Sequence, residues 1–344
     1  MTRLTIEEIA ELAAVSRSTV SRVINDHPGV RSTVRARVLQ VIQEHHYAPR
    51  AAARSLASSR TNAVGLLIPG STSFIFSDAF FPQVIQGISE TCNTHGYILM
   101  LSTVTPEMEH DFYERVLRGH HVDGVIVMSS NIDDPVLPLL IHDPTPLVLV
   151  GRHPYLRDLN SVDVENREGA LAAVRHLIGL GHSRIGTITG PLHSAAALDR
   201  RDGYKQALVE ASLAIRPELI ALGDFTQDGG RLAMRALLEL AEPPTAVFVA
   251  SDTMASGALQ AARELEVRVP EDVSLVSFDD LPIASLLVPS LTTVHQPLYD
   301  LGAAAADLLL KRLDGPEAPP EHVWLPTQLV IRQSSAAAAL PRAG

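Results

Sequence analysis

Residues 5–25 read TIEEIAELAAVSRSTVSRVIN, and their spacing predicts two short helices joined by a tight turn. Apolar side chains recur at helical intervals from Ile6 to Ala13, and again from Arg17 to Asn25. Thr5 occupies the N-cap position of the first helix, and Glu8 three residues later completes a capping box. The letters AAVS separate the two patterns. The stretch is therefore typical of a helix-turn-helix unit.

A third helix and a linker are predicted to follow this unit. The third helix begins at Ser32 and shows an apolar stripe at helical spacing, formed by Val34, Val38, Val41 and Ile42. The Ala-rich stretch AAARSLASSR at residues 51–60 is too short and too weakly amphipathic for a stable isolated helix. We interpret it as a linker that becomes helical when it is docked.

Charge is distributed unevenly along the 344 residues, whose formal net charge is −11. Residues 1–60 contain nine arginines, no lysine and five acidic residues, so their net charge is +4 and the rest of the chain holds −15. A basic head on an acidic body indicates a polyanionic partner that the head alone contacts. The acidic body then repels DNA wherever the head does not touch it.

From residue 62 onward, short apolar runs alternate with helical segments. The runs include AVGLLIP, GVIVMSS, LVLVG, RIGTITG and TAVFVAS, and EGALAAVRHLIGLG is one of the intervening helices. This rhythm predicts parallel sheets that are covered by helices on both faces. We expect about ten strands, which suits two sheets better than one.

Several classes of protein are disfavoured. The first residues include Glu7, Glu8 and Glu11 where a secretory signal needs an apolar stretch, and no apolar run reaches membrane-spanning length. We therefore expect a cytoplasmic protein without a membrane partner. Cys92 is the only cysteine, which excludes an intrachain disulfide and a CxxC site. No phosphate loop, dinucleotide fingerprint or HExxH motif is present, so we expect no catalytic residues, no cofactor and no metal site.

Nearly the whole chain resembles the LacI/GalR family of bacterial transcription regulators. The resemblance rests on residues 5–25 and on further motifs in the family's order, namely PRAAARSL, VDGVIVM, HLIGLGHSRIGTITGP, PTAVFVASD, RVPEDVSLVSFDD and LTTVHQP. It implies an α/β fold with an N-terminal all-α helix-turn-helix headpiece and a hinge helix. The body that follows would be periplasmic-binding-protein-like, with two Rossmann-like subdomains built on parallel sheets.

The resemblance also implies the bounds of the domains. The four expected regions are the headpiece at 1–49, the hinge helix or linker at 50–61, the effector-binding and dimerisation domain at 62–336, and a flexible tail at 337–344. Within the body the chain is expected to cross between the subdomains three times. The N-subdomain would take about 62–160 and 292–322, and the C-subdomain about 161–291 and 323–336. The tail has no heptad pattern, so we expect a homodimer.

The second helix is the predicted recognition helix, which enters the major groove by its N-terminal end and presents its first side chains to base edges. Arg17, Ser18 and Arg22 lie near one face, and an arginine fork on guanine contributes roughly 1–3 kcal/mol of discrimination. By resemblance, Arg17 and Ser18 match variable base-reading positions and Arg22 a more constant base contact. Phosphate-anchoring or helix-capping positions are matched by Thr5, Ser16, Thr19, Ser21 and Asn25.

The hinge supplies two further DNA-binding residues by the same resemblance. Arg54 lies in the matching motif, and Leu56 is the minor-groove wedge, which unstacks a base step and kinks the site. Two hinge helices, one from each subunit, would pair over the centre of the operator. A dimer on pseudo-palindromic double-stranded DNA is therefore implied.

The turn between the first two helices departs from the family, because Ala14 stands where glycine is usual. If the position requires a left-handed backbone, alanine costs on the order of 1 kcal/mol there. We therefore expect a slightly less stable headpiece.

The ligand cleft of such a fold lies at the carboxyl ends of the parallel strands. Arginine and aspartate can bridge neighbouring hydroxyls, and an aromatic face covers the C–H side of a sugar. By resemblance the effector-contacting positions are Phe80, Phe81, Arg200, Phe225, Ser251 and Asp279, with Arg152 as a neighbouring candidate. The loop PGSTSFIFSDAFFPQ is longer than the common family loop and is similar to members that sense glucosides or maltodextrins. Its length leaves Phe74 and Phe76 as rivals of the two phenylalanines chosen.

The resulting hypothesis is a repressor that binds a pseudo-palindromic operator as a dimer and responds to a small carbohydrate. The alternatives are a regulator with a non-sugar effector, such as a purine or nucleoside, and a stand-alone sugar-binding module. A periplasmic binding protein is disfavoured by the headpiece and the missing signal. Induction and corepression both fit, because either follows from which closed state supports the hinge helices.

Overall fold

The computed structural model divides into two compact units, residues 1–61 and residues 62–344. The residues that it describes are 4–24, 27–45, 47, 60–69, 72–104, 118–128, 131–134, 137–156, 158–315 and 318–338. Three predicted DNA-binding residues, Asn25, Arg54 and Leu56, lie outside the described residues.

The first unit contains the three predicted helices, α1 (Ile6–Leu12), α2 (Arg17–Ile24) and α3 (Ser32–Glu44). They pack around a small apolar core, whose fully buried members are Ile9, Ala13, Val20 and Val38. The predicted capping box is confirmed, because the Thr5 hydroxyl accepts from the Glu8 backbone N–H and the Glu8 carboxylate accepts from the Thr5 N–H. Local pattern alone therefore defines this fold.

The turn after α1 adopts the backbone that the family's glycine would favour. Ala14 has φ 50°, in the left-handed region. The Ala14 N–H donates to the Glu11 carbonyl and the Val15 N–H to the Ala10 carbonyl, at 3.0 and 2.9 Å, which is the Schellman pattern of helix termination. The left-handed condition stated for Ala14 is thus confirmed.

The second unit consists of two lobes, each built on a six-stranded sheet. In the first lobe the sheet order is β11-β5-β4-β3-β1-β2, and every neighbouring pair is parallel. Its strands are β1 (Ala63–Pro69), β2 (Ile98–Val104), β3 (Gly124–Met128), β4 (Leu147–Val150), β5 (Asn160–Val164) and β11 (His322–Leu325). Its helices are α4 (Thr72–Ser77), α5 (Phe80–Thr94), α6 (Leu137–Ile141) and α12 (Leu298–Asp314).

Alternate side chains of β1 belong to two different apolar clusters, one containing Leu66 and Ile68 and the other Leu67. The first cluster includes residues of α5 and α12, and the second includes residues of α6. The sheet is therefore buried on both faces, as the continuous apolar runs predicted.

In the second lobe the sheet order is β12-β10-β9-β8-β6-β7, parallel except for β12 against β10. Its strands are β6 (Ile185–Thr189), β7 (Ile220–Leu222), β8 (Ala246–Val249), β9 (Ser274–Asp279), β10 (Thr292–His295) and β12 (Gln328–Val330). Its α-helices are α7 (Asn166–Gly179), α8 (Ala195–Glu210), α9 (Gln227–Leu238), α10 (Asp252–Glu264) and α11 (Pro282–Leu286), and a 3₁₀ turn spans Pro217–Leu219.

The chain crosses between the lobes three times, after β5, after β10 and after β11. These crossings correct the expected subdomain bounds by a few residues. Residues 161–164 and 323–325 belong to the first lobe because β5 pairs with β4 and β11, whereas 292–295 belong to the second because β10 pairs with β9 and β12. Each strand completes its hydrogen bonds to its neighbours before the chain leaves the lobe, whereas the expected bounds did not follow the strand ends.

No helix in the described part of the chain has both the length and the apolar character needed to cross a membrane.

Candidate functional site

A cavity of about 410 Å³ lies between the two lobes of the second unit, at the carboxyl ends of strands from both sheets. All the residues predicted to contact an effector line it, namely Phe80, Phe81, Arg152, Arg200, Phe225, Ser251 and Asp279. Strand ends from two lobes thus converge as the fold predicted. The volume suits a small organic ligand.

Arg200, on α8, is the most constrained of these side chains. Its residue is 5 % exposed, its Nε donates to Asn166 Oδ1 at 2.9 Å, and its Nη1 donates to the Ala250 carbonyl at 2.6 Å. The guanidinium carbon lies 3.8 Å from the centroid of the Phe278 ring. These contacts fix the plane of the guanidinium, so its remaining donor capacity has a defined direction.

Asp279 ends β9 and lies opposite Arg200, with Oδ1 3.3 Å from Arg200 Nη1. The same oxygen accepts from Gln296 Nε2 at 2.5 Å. Burial raises the pKa of Asp279 well above its ordinary value, and the Arg200 charge opposes that rise. The residue has φ 115°, a backbone conformation that a non-glycine residue rarely adopts and that aims its side chain at the cavity wall.

A second buried carboxylate, that of Asp252, forms hydrogen bonds that hold the end of β9 in place. Asp252 accepts from the hydroxyls of Ser277 and Thr293, at 2.5 and 2.7 Å, and from the Leu281 N–H at 2.7 Å. Burial raises the pKa of Asp252 to about 6, against the effect of those hydrogen bonds. Because its three partners lie on β9, on β10 and just beyond Asp279, Asp252 holds the loop that presents Asp279.

Among the described residues, three polar contacts beside the cavity join one lobe to the other. Arg152, after β4, forms an ion pair with Asp199 of α8 through two nitrogen atoms. Thr253 Oγ1 donates to Asp78 Oδ2 at 3.3 Å, and the Ile132 N–H donates to the His193 carbonyl at 2.8 Å. The Asp199 carboxylate raises the pKa of Arg152, which therefore stays charged.

The aromatic residues occupy opposite sides of the cavity. Phe80 and Phe81 begin α5 and meet edge to face, with ring centroids 5.4 Å apart. Phe225 has φ 65°, and its ring fills the space beside Gly190, where an added Cβ would lie 2.2 Å from the ring. Phe76, the rival in the long loop, is 61 % exposed and does not line the cavity. For Phe74 the structure describes no side chain.

Ser251 lines the cavity but also has a structural task, because its hydroxyl accepts from the Met254 N–H and so caps α10. Several polar residues that line the cavity were not predicted from the sequence, among them Asp78, Asp163 and Asn166, and neither was Asp199, the partner of Arg152. Asp163 was missed because NSVDV is too polar to be recognised as a strand, although the structure buries this carboxylate in β5. Asp199 could not be found, because its partner Arg152 is distant in sequence and lies in the other lobe.

The predicted DNA-reading residues lie on one helix of the first unit. Arg17, Ser18 and Arg22 of α2 are exposed, as base contacts require. Arg17 Nε lies 3.2 Å from Glu7 Oε1. Thr5 and Ser16 have capping contacts, with Ser16 Oγ accepting from the Thr19 N–H at 3.2 Å.

The hydroxyl oxygens of Ser18 and Thr19 both lie within 2.9 Å of the Ser16 hydroxyl oxygen. Ser21 is partly buried farther along α2.

Among the residues that the structure describes, no cluster of His, Cys, Asp and Glu could hold a metal ion.

Two family models match this chain. Residues 5–50 match the model of bacterial regulatory proteins of the lacI family, and residues 174–335 match a periplasmic binding protein-like domain. The HTH-type transcriptional regulator CelR of Thermobifida fusca is 38 % identical over 334 residues, which are 96 % of this chain and 98 % of that protein. The first family model falls within the first unit described above, and the second model falls within the second unit.

Solved structures agree with this picture. A complex of the transcriptional regulator CelR with cellobiose has a TM-score of 0.78 and 36 % identity, covering 97 % of this chain and 100 % of that one. The lac repressor dimer bound to operator and the anti-inducer ONPF has a TM-score of 0.85 and 27 % identity, covering 98 % and 100 %. The whole length of the chain is therefore accounted for by one architecture.

Proposed function

The chain belongs to the lacI family of bacterial regulatory proteins, DNA-binding transcriptional regulators that respond to small molecules, and from that premise we propose that it is a repressor controlled by a small carbohydrate. One observation supports this most directly. A helix-turn-helix unit with exposed Arg17, Ser18 and Arg22 is joined in one chain to a two-lobed body whose cavity is lined by charged and aromatic side chains. Because the chromosome is its partner, we also propose that it acts in the cytoplasm.

In this proposal α2 reads the operator. Arg17 and Ser18 contact base edges at variable positions, and Arg22 makes a more constant contact. The neighbouring hydroxyl and amide side chains contact phosphates or cap helices. They belong to Thr5, Ser16, Thr19, Ser21 and Asn25. Arg54 and Leu56 add hinge contacts in the minor groove. We assign no catalytic residue and no cofactor.

The chemistry of the cavity supports an effector rich in hydroxyl groups. Arg200 and Asp279 offer a fixed donor and a fixed acceptor 3.3 Å apart, which suits two neighbouring hydroxyls. The rings of Phe80 and Phe225 supply apolar faces for the C–H side of a sugar. The CelR–cellobiose complex supports a glucoside as the first candidate.

A homodimer is the proposed assembly. Both lobes leave large apolar side chains exposed on edge strands, with Ile98 of β2 exposed by 70 % and Leu222 of β7 by 66 %. Leu286 and Val288 form a further exposed pair in the second lobe. Such side chains suit an isologous interface, and a two-fold dimer requires a pseudo-palindromic operator. The lac repressor dimer on its operator supports this arrangement.

The test is a selection of duplexes by the purified full-length protein from a randomised palindromic library at fixed salt. Each round is run without ligand and with cellobiose, maltose, glucose or a purine base. Selective binding of one palindrome that a single sugar abolishes or strengthens supports the proposal and gives the sign of the coupling. A response to the purine alone favours the non-sugar effector, and sugar binding without sequence preference leaves only a sugar-binding module.

Two variants separate the functions. Arg17→Ala is expected to lose sequence preference while it still binds the sugar. Arg200→Lys is expected to bind the same palindrome while it loses the response to the sugar, because a lysine cannot reproduce the fixed fork of donors.

A further inference from the structure

The charged groups around the cavity are not balanced. Arg152 is paired with Asp199, and Arg200 is paired with Asp279. Asp163 is a third carboxylate within electrostatic reach of both pairs. Among the described residues no arginine, lysine or histidine forms an ion pair with it. Asp78 and Asp224 line the cavity as well, so its wall holds more acidic groups than its two arginines neutralise, and Asp163 is the one within reach of both pairs.

Only one of the two carboxylate oxygens of Asp163 accepts hydrogen bonds from the described part of the protein. Oδ1 accepts from the Val164 N–H at 2.8 Å and from Asn166 Nδ2 at 3.0 Å. Oδ2 has no hydrogen-bond partner in the described part of the chain, although the residue is only 5 % exposed and lines the cavity. Oδ2 keeps some exposure to the cavity, so a hydroxyl of a bound ligand can donate to it there.

We propose that Asp163 sets the charge specificity of the effector site. Its Oδ2 accepts a hydrogen bond from a hydroxyl of an uncharged polyol, and the unbalanced carboxylate repels anionic relatives of that ligand, such as sugar acids and sugar phosphates. The inference rests on the proposed function, because it names the ligand class of the same cavity. Arg152 and Arg200 present no uncompensated positive charge to an anion, since each already faces an aspartate, although Arg200 keeps donors for a hydroxyl.

Binding to this carboxylate is linked to its ionisation. Burial raises the pKa of Asp163 to about 7, assisted by Asp199 and opposed by Arg152 and Arg200. A hydroxyl donor favours the ionised form, so ligand binding near neutral pH releases a proton, and affinity falls by up to about tenfold per pH unit below the pKa. The other titratable groups that line the cavity are Asp78, Asp224, Asp279 and His193. A variant at residue 163 keeps all of them, so it isolates the contribution of Asp163.

The experiment is isothermal titration calorimetry of the full-length protein with cellobiose and with cellobionate, its anionic counterpart. Maltose and maltobionate serve as the second matched pair. Wild type, Asp163→Asn and Asp158→Asn are compared at several pH values and in buffers of different ionisation enthalpy. Asp158 is exposed and lies outside the cavity, so D158N changes the net charge equally without touching the site.

We expect the wild type to bind the neutral sugar at least tenfold more tightly than its acid and to release a proton. D163N is expected to bind the neutral sugar about tenfold more weakly, to lose the proton release and to narrow the gap between sugar and acid. D158N behaves as the wild type. The proton release of the wild type tests the inference even if D163N is unstable.

Equal affinity of the wild type for sugar and acid, or an unchanged pH dependence in D163N, overturns the assignment of Asp163 and leaves the regulator standing. Operator binding without affinity for any of the four ligands contradicts the proposed carbohydrate effector, and the role of Asp163 as a polyol acceptor fails with it.

Discussion

Arg152 and Asp199 join the two lobes of the body by an ion pair, with Arg152 Nε 2.6 Å from Asp199 Oδ2 and a second contact through Nη2. Arg152 follows β4 in the first lobe and Asp199 lies on α8 in the second. The pair is mostly buried, since the two side chains are 28 % and 13 % exposed. It therefore joins the lobes far more strongly than a contact at the surface would.

Breaking this pair is expected to destabilise the body. Asp199→Asn should lower the free energy of unfolding by roughly 1–3 kcal/mol, because Arg152 is left half-buried without its charge partner. Urea denaturation measures the loss, and a double-mutant cycle with Arg152→Met should give a coupling of about 0.5–3 kcal/mol. Glu210→Gln, on the same helix, is the control, because it breaks an exposed pair with Arg175 that solvent screens. A coupling near zero would show that the pair does not hold the lobes together.

Ala14→Gly is expected to stabilise the headpiece. Ala14 has φ 50°, and glycine adopts that backbone without strain, so the gain should be about 0.5–1 kcal/mol. Hydrogen exchange of the α1 amides in the full-length protein is the measurement, with slower exchange expected. Ala13→Gly is the contrast, because Ala13 has φ −82° and is fully buried, so glycine there adds flexibility, removes a core methyl group and should speed exchange. Faster exchange in A14G would contradict the strain argument.

Arg17→Ala is expected to relax the sequence preference of the protein at one position of each half-site. The loss of discrimination there should be about 1–3 kcal/mol, while preferences elsewhere persist. Binding of the selected palindrome and its single-base variants, at one salt concentration, measures this. Thr19→Ala provides the contrast, because loss of a phosphate contact weakens all duplexes alike. If R17A also weakens all of them alike, Arg17 contacts only the backbone.

The stability of the body should depend on pH through Asp163. Its pKa is about 7 in the folded protein and near 3.8 in the unfolded chain, so between those values the folded state binds more protons. Stability is therefore lost as pH rises through this window, at no more than about 1.4 kcal/mol per pH unit. Urea titrations of wild type and D163N should give curves that diverge with this sign. Parallel curves would mean that Asp163 does not titrate in that range.

The headpiece was predictable from the sequence almost in full, because its information is local. Apolar side chains at helical spacing gave the three helices, and Thr5 with Glu8 gave the capping box. The left-handed backbone at Ala14 was stated only as a condition, and the structure meets it. Local patterns suffice when each contact joins residues that are close along the chain.

The cavity was predictable only where strands end. Arg152, Ser251 and Asp279 follow apolar runs, and parallel strands bring their ends together. Asp163 lies inside a strand too polar to be recognised as one, and the Asp199–Arg152 pair joins distant segments of different lobes. Pairings of that kind depend on the tertiary fold, which no spacing along the sequence encodes.

The three chain crossings at one side of the cavity also set the mechanics of the body. Two rigid lobes that are joined by several adjacent segments rotate easily about a hinge axis through those segments, but they resist sliding and twisting. The connecting segments follow β5, β10 and β11, so we expect the body to move about one hinge. We therefore expect a ligand that draws the two lobes together to rotate one lobe about these crossings, which confines the change to one kind of movement.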